Sequence, residues 1–167
     1  MKKYRIALIL LSIIFFIGIS TKYRFNNKIK SLPEMTLITI TGNKINLKDL
    51  QGHPVIITFW ATDCPTCIKE IPDLIDLYSK YHYKGLEIIA ISMSYDSPSH
   101  VITFTEDMRL PYKIVLDMSS EIAKAFGNIE LTPSTFVLDQ QGNVIEQQTG
   151  KFDLEKIKSL IETMIKG

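Results

Sequence analysis

Two cysteines occur in the 167 residues, and both fall in one stretch, Cys64-Pro65-Thr66-Cys67. A disulfide that stabilises a fold joins distant parts of the chain and restricts a long loop in the unfolded state. A gap of two residues closes almost no loop, so this pair is spaced for reactivity. At the start of a helix, cysteines so placed lie about one turn apart, close enough to form a disulfide. The free amide groups and the positive dipole end found there stabilise a thiolate. Pro65 suits the first helical turn, where its missing N–H is no loss. The chemistry this allows is thiol–disulfide exchange. The outer cysteine, Cys64, attacks a substrate disulfide, and the inner one, Cys67, resolves the mixed disulfide.

Such a pair must sit between a rigid strand and the mouth of a helix, and the flanking residues read that way. Val55–Trp60 is continuously apolar apart from Thr58, as in a strand covered on both faces. From Cys64 onward, Ile68, Ile71, Leu74, Ile75 and Tyr78 recur at helical spacing. A first strand is predicted over 35–40, and a turn over Thr41-Gly42-Asn43-Lys44. Ile45 and Leu47 then alternate. Buried strands are predicted over 86–93 and 112–116, and helices over 97–108 and 119–126, the latter closed by Gly127. A hairpin over 134–138 and 144–148 turns at Gln141-Gly142-Asn143, and an amphipathic helix over 153–165 ends the chain. Strands alternating with helices, then a hairpin and a helix, give an α/β class with a central mixed sheet flanked by helices.

The stretch Phe59-Trp60-Ala61-Thr62-Asp63-Cys64-Pro65-Thr66-Cys67 resembles the active site of the thioredoxin superfamily. In particular it is similar to the TlpA/ResA-type membrane-anchored disulfide reductases, relatives of the AhpC/TSA group. The likeness runs from about Leu32 to the C-terminus. Leu47-Lys48-Asp49-Leu50-Gln51-Gly52 matches the family's segment before the active-site strand, and 90–110 has room for its extra mid-domain strand and helix. Thr132-Pro133-Ser134-Thr135-Phe136 matches its cis-proline loop. The resemblance implies a thioredoxin-like fold with added N-terminal strands, and no cofactor beyond the cysteines. It implies a cis Pro133, with Thr132 on the substrate backbone and Trp60, Pro65 and Thr66 at the same binding surface. From the residues alone, Pro133 could equally start a strand in the commoner trans form.

Glu70 is the most informative polar residue near the pair. It follows Cys67 by three residues, on the same side of the helix, with Pro72 just beyond. The resemblance implies a partly buried carboxylate that tunes the thiols and shuttles a proton. Thr58 stands where ordinary thioredoxins carry a buried aspartate, which leaves Glu70 as the proton acceptor for Cys67. The bland alternative is a solvated helix charge beside Lys69. Asp63 departs from the family, which commonly has a large residue there. A carboxylate beside Cys64 opposes thiolate formation; alternatively, it faces water and caps the helix. Trp60 is expected to pack beneath the cysteines, a place a plain core residue would also fill. His53, His82 and His100 read as surface residues.

Nineteen Lys and Arg against eighteen Asp and Glu leave a net charge of +1, and 46% of the residues are apolar. That profile suits a domain with a real core and gives no basic surface for nucleic acid. At the N-terminus, Lys2, Lys3 and Arg5 precede an apolar run from Ile6 to Ile19, broken only by Ser12 and Gly18. The run is slightly short for a membrane span, but Tyr4 and Tyr23 are placed to anchor its ends. It reads as an uncleaved signal anchor, with residues 6–21 as the tethering element; cleavage near Gly18-Ile19-Ser20 is the competing reading. The expected organisation is an anchor over 1–24, a tether over 25–33 and a thioredoxin-like domain over 34–167. The domain is placed outside the cytoplasm of a bacterium, on the periplasmic or exterior side of the inner membrane, or secreted if the signal is cleaved.

The expected function is a thiol–disulfide oxidoreductase that reduces particular exported proteins, with apocytochrome c among the targets the resemblance suggests. A membrane partner would supply its electrons. No heptads and no apolar stripe stand out, so a monomer is expected. A Cu(I) carrier on the same fold is a second class, because two thiolates suit that ion; the longer cysteine spacing and late histidine usual in such carriers are absent, and no metal site is assigned. A peroxiredoxin-like peroxidase would need Thr or Ser three residues before the reactive cysteine, where Ala61 stands. A non-enzymatic holdase leaves the cysteine pair unexplained.

Overall fold

The computed structural model describes residue 29 and residues 31–166. The anchor expected over 1–24, and most of the tether expected over 25–33, lie outside them. Among the described residues, no helix is long and apolar enough to cross a membrane.

The apolar run before the cysteines is the central strand, β3 (Val55–Trp60), buried at every position. β1 (Thr36–Ile38) and β2 (Lys44–Asn46) precede it as a separate antiparallel pair. β4 (Glu87–Ser92) lies parallel to β3 on one side, and β5 (Lys113–Leu116) extends the sheet beyond β4. On the other side, β6 (Ser134–Leu138) runs antiparallel to β3, and β7 (Val144–Thr149) closes that edge. The order is β5-β4-β3-β6-β7. A central strand has a core on each face, and alternate residues of β3 serve the two. Ile56 and Trp60 join Leu74, Leu77, Ile88, Ile157 and Ile161 on one face. Val55, Ile57 and Phe59 join Ile89, Ile91, Phe126 and Phe136 on the other. There the Phe59 ring meets those of Phe126 and Phe136 edge-on, at 5.3 and 6.1 Å between centroids.

Among the described residues, four α-helices pack on the sheet: α1 (Pro65–Tyr81), α2 (Pro98–Asp107), α3 (Glu121–Ala125) and α4 (Leu154–Lys166). α1 continues through Pro72, whose ring has no N–H for the Ile68 carbonyl. Its buried face carries Cys67, Glu70, Ile71, Leu74, Leu77 and Tyr81.

Element types match the sequence reading, and the departures have local causes. The alternation at Ile45 and Leu47 does not continue a strand. The Asn46 carboxamide accepts from Lys48 N at 3.0 Å and turns the chain into a 3-10 helix over Leu47–Leu50. The mid-domain addition consists of α2, inside the expected 90–110 stretch, and β5, just past it. The helix expected over 119–126 starts at Glu121, because Ser120 takes a left-handed φ of 60°. The Asp117 carboxylate receives the N–H groups of Ile122 and Ala123 at 3.2 and 2.8 Å. The β1–β2 pair is fixed to the outer edge of β5 through Thr39 opposite Val115, with Ile40 N donating to Ile114 O at 2.9 Å. Packing begins ahead of residue 34: Leu32 N donates to Gly142 O at 3.3 Å, and Ile29 and Leu32 lie against the core.

Candidate active site

β3 ends at Trp60, and α1 begins at Pro65 after four intervening residues. The turn between them is closed by Cys64 N donating to Ala61 O at 3.2 Å. Cys64 is the N-cap of α1, with extended backbone angles (φ −95°, ψ 103°), and its sulfur accepts from Cys67 N at 3.2 Å. A helix N-terminus leaves amide donors unpaired, and here one of them is aimed at the sulfur of the outer cysteine. Pro65 follows in the first turn. Cys64 and Cys67 are joined by a disulfide, with their Cα atoms 5.3 Å apart. Both are largely buried, at 9% and 4% exposure, with Cys64 the more exposed of the two.

Beneath the pair is a small crevice of about 10 Å³, lined by Thr58, Trp60, Cys67, Glu70, Tyr112 and Pro133 among others. Glu70 is 1% exposed, so it is not the solvated helix charge of the bland alternative. Its Oε1 accepts from Phe152 N at 2.7 Å, tying α1 to the segment before α4. Burial raises its pKa from the ordinary 4.5 to about 7, against the opposing pull of the Phe152 amide and the Lys151 charge. Burial also pushes the Tyr112 hydroxyl upward, so that group stays protonated at neutral pH. Thr58 is buried with its hydroxyl 3.0 Å from that of Thr135 on β6, a neutral pair. Among the residues lining the crevice, the acid is Glu70, on α1.

The Thr132–Pro133 peptide bond is cis, the isomer the resemblance implies, and Pro133 lines the crevice with Cys67. Thr132 is half-buried. Trp60 is 4% exposed and packs in one core cluster with both cysteines, its ring 5.6 Å from that of Phe104. Its indole N–H meets no acceptor among the described residues. Pro65 is exposed and Thr66 half-buried, both on the first turn of α1. Asp63 faces water, but the helix cap is the Cys64 sulfur. His53, His82 and His100 are exposed. Among the described residues, no three His, Cys, Asp or Glu side chains gather as metal ligands would.

One feature of the site is not visible from local spacing. The Asp96 carboxylate, on the loop after β4, accepts from Thr62 N at 2.6 Å and Thr62 Oγ1 at 2.8 Å. The turn that carries Cys64 is thus fastened to a second loop. The signal available in the sequence was an acidic residue just past a buried strand, which by itself does not name its partner.

A mixed sheet whose central strand delivers a cysteine to a helix N-terminus, opposite a cis-proline segment, defines the class of thioredoxin-fold exchange proteins. The chain belongs to the Redoxin family, whose model matches residues 28–164. It is 35% identical over 133 residues to the thiol-disulfide oxidoreductase ResA of Bacillus thuringiensis subsp. konkukian, covering 80% of this chain and 76% of the relative. Against ResA of Geobacillus thermodenitrificans the identity is 32%, with 79% and 75% covered. The crystal structure of StoA from Bacillus subtilis superposes with a TM-score of 0.65 at 26% identity, over 75% of this chain and 93% of that one. A thioredoxin-family thiol:disulfide interchange protein from Chlorobium tepidum shares the fold, with a TM-score of 0.73 at 23% identity over 81% and 96% of the two chains. The protein is a TlpA/ResA-like thiol-disulfide oxidoreductase.

Proposed function

We propose that the protein reduces particular disulfides of exported proteins, from a position tethered to the outer face of the cytoplasmic membrane. The observation that carries this reading is the buried Glu70 carboxyl, sharing a crevice with Cys67. In the reduced protein, the Cys64 thiolate attacks one sulfur of a substrate disulfide and expels the other as a thiolate. Cys67 then loses its proton and attacks the Cys64 sulfur. The substrate leaves fully reduced, and Cys64–Cys67 is oxidised by two electrons. The proton of Cys67 needs an acceptor in a place water reaches poorly. A carboxyl with a pKa of about 7 exchanges a proton readily at neutral pH. Glu70 is therefore assigned as that acceptor. Thr132, Pro133, Pro65 and Thr66 are assigned to the surface that receives the substrate chain, and Trp60 to its floor.

Direction and location rest on other grounds. The basic N-terminus followed by the apolar run at Ile6 to Ile19 supports an anchor that leaves the domain outside. The TlpA/ResA resemblance supports a reductant fed by a membrane electron donor, with apocytochrome c as a candidate target. Cys67→Ser tests this directly, because Cys64 then attacks and cannot be resolved. The variant is expected to accumulate mixed disulfides with specific exported proteins in its native compartment. Capture of nothing beyond the background of a Cys64→Ser/Cys67→Ser control would refute the proposal of protein substrates.

A further inference from the structure

The sheet has two ends, and the cysteines follow one of them, beyond Trp60 at the close of β3. The other end of β3 is Val55, roughly 17 Å away at about 3.3 Å per residue. Val55 is level with Glu87 on β4 and with Leu138 on β6, which in turn pairs with Val144 on β7. Hydrogen bonds join the loops at this end into one base. Ser31 bridges Asn143, and Leu32 N donates to Gly142 O at 3.3 Å. Gly52 N donates to Gln140 O at 2.7 Å, and His53 Nδ1 is 3.0 Å from Gly85 O. Leu86 N donates to Tyr81 O at 3.1 Å, where α1 ends. The chain that precedes residue 31 therefore joins the domain at the end opposite Cys64.

The same base carries a basic cluster and an exposed aromatic. α1 passes into a 3-10 turn over His82–Lys84, in which Tyr83 is 74% exposed. Lys84 Nζ lies 5.5 Å from the Tyr83 ring and 5.8 Å from the Tyr81 ring, and Lys80 Nζ is 5.2 Å from the latter. The Tyr81 hydroxyl donates to Glu162 Oε1 at 2.5 Å, and Lys166 Nζ is 3.9 Å from Glu162 Oε2. Glu162 is thus already engaged within the protein; Asp76 is a second acid near Lys80. The sequence adds Lys22, Arg24, Lys28 and Lys30 ahead of the domain, with no Asp or Glu before Glu34. Clustered ammonium groups attract an anionic surface. A tyrosine, with an apolar ring and a polar tip, suits the boundary between lipid and water. We propose that this base is an interaction surface for anionic phospholipid headgroups, engaged through Lys80, Tyr83, Lys84 and Lys166, with the cysteines turned away from the membrane. The inference rests on the anchor reading, which supplies the membrane. A tether joined at this end holds the base near the bilayer and raises the effective concentration of headgroups there. Exported substrates then reach Cys64 from the side away from the lipid.

The test places the full chain in vesicles of phosphatidylcholine, with or without an equal part of phosphatidylglycerol, and reads amide hydrogen exchange. Residues 80–86 are expected to exchange more slowly in the anionic vesicles than in the neutral ones, and residues 62–68 at the same rate in both. High salt should abolish the difference. Replacing Lys80→Glu and Lys84→Glu together should reduce the protection by about fivefold per lysine. That variant should still reduce a small-molecule disulfide at the wild-type rate, which shows that it is folded. The inference is overturned if residues 80–86 exchange alike in both lipids, if the protection falls on residues 62–68 instead, or if the double variant keeps it. Protection that rises with protein concentration whatever the lipid would assign the surface to a second copy of the chain, and would overturn it too. Retention of the chain on the vesicles in high salt is scored separately. Release there would remove the anchor, whereas the lipid dependence at residues 80–86 decides the surface.

Discussion

Replacing Glu70 with glutamine should change how stability depends on pH, and the size of the change follows from its surroundings. Glutamine keeps an oxygen to accept from Phe152 N, which in the native protein donates to Glu70 Oε1 at 2.7 Å. What it removes is the ionisation. The folded-state pKa is raised from 4.5 to about 7, chiefly by burial. Below pH 4.5 the carboxyl is protonated in folded and unfolded chains alike, and its contribution to stability is fully present. Between 4.5 and about 7 the unfolded chain has released the proton and the folded one has not, so stability falls as pH rises. Above that window the loss is complete. At roughly 1.4 kcal/mol per pK unit, the gap between 4.5 and about 7 corresponds to about 3 kcal/mol. The assay is urea unfolding of the oxidised protein and of Glu70→Gln from pH 4 to pH 8. The stability difference between them should drift by about 3 kcal/mol in favour of the variant across that window. A buried amide adds a constant offset, so only the drift matters. A difference that stays flat, or drifts the other way, would refute the claim that burial raises the Glu70 pKa.

Four further substitutions probe the frame around the site. Thr58→Val leaves the Thr135 hydroxyl, 1% exposed, without its partner, and should destabilise by about 1–2 kcal/mol in urea unfolding. Adding Thr135→Val should recover much of that loss. Asp117→Ala removes the acceptor for two N–H groups at the start of α3 and should cost about 1–2 kcal/mol, read as a lower unfolding midpoint. Phe126→Ala opens the face where three phenylalanine rings meet, and about 3–5 kcal/mol of stability should be lost in the same assay.

Much of the fold was legible because its signals are local. The all-apolar β3, the helical spacing after Cys64 and the turn residues around Gly142 each declare their element within a few positions. The cysteine pair was legible for the same reason, since the spacing and the helix start are read from adjacent residues. Glu70 could be singled out by its place on α1. Its burial depends on contacts that only the folded chain creates, such as the bond from Phe152, 82 residues away. The bond between Thr58 and Thr135 and the grip of Asp96 on Thr62 are equally remote in sequence, at separations of 77 and 34. The start of α3 shifted for a similar reason, because a buried aspartate capping from outside the helix sets where hydrogen bonding begins.

The proposed activity requires Cys64 and Cys67 to form a reducing redox couple. The most direct test is the reduction potential of the purified protein, equilibrated against glutathione buffers and read by trapping the free thiols. A reducing couple should show one two-electron transition at or below about −230 mV, as befits a reductant needing a dedicated electron supply. A value near about −120 mV would make the protein a disulfide donor and contradict the proposed direction. If Cys64 and Cys67 do not interconvert between thiols and disulfide at all, the exchange mechanism itself is wrong.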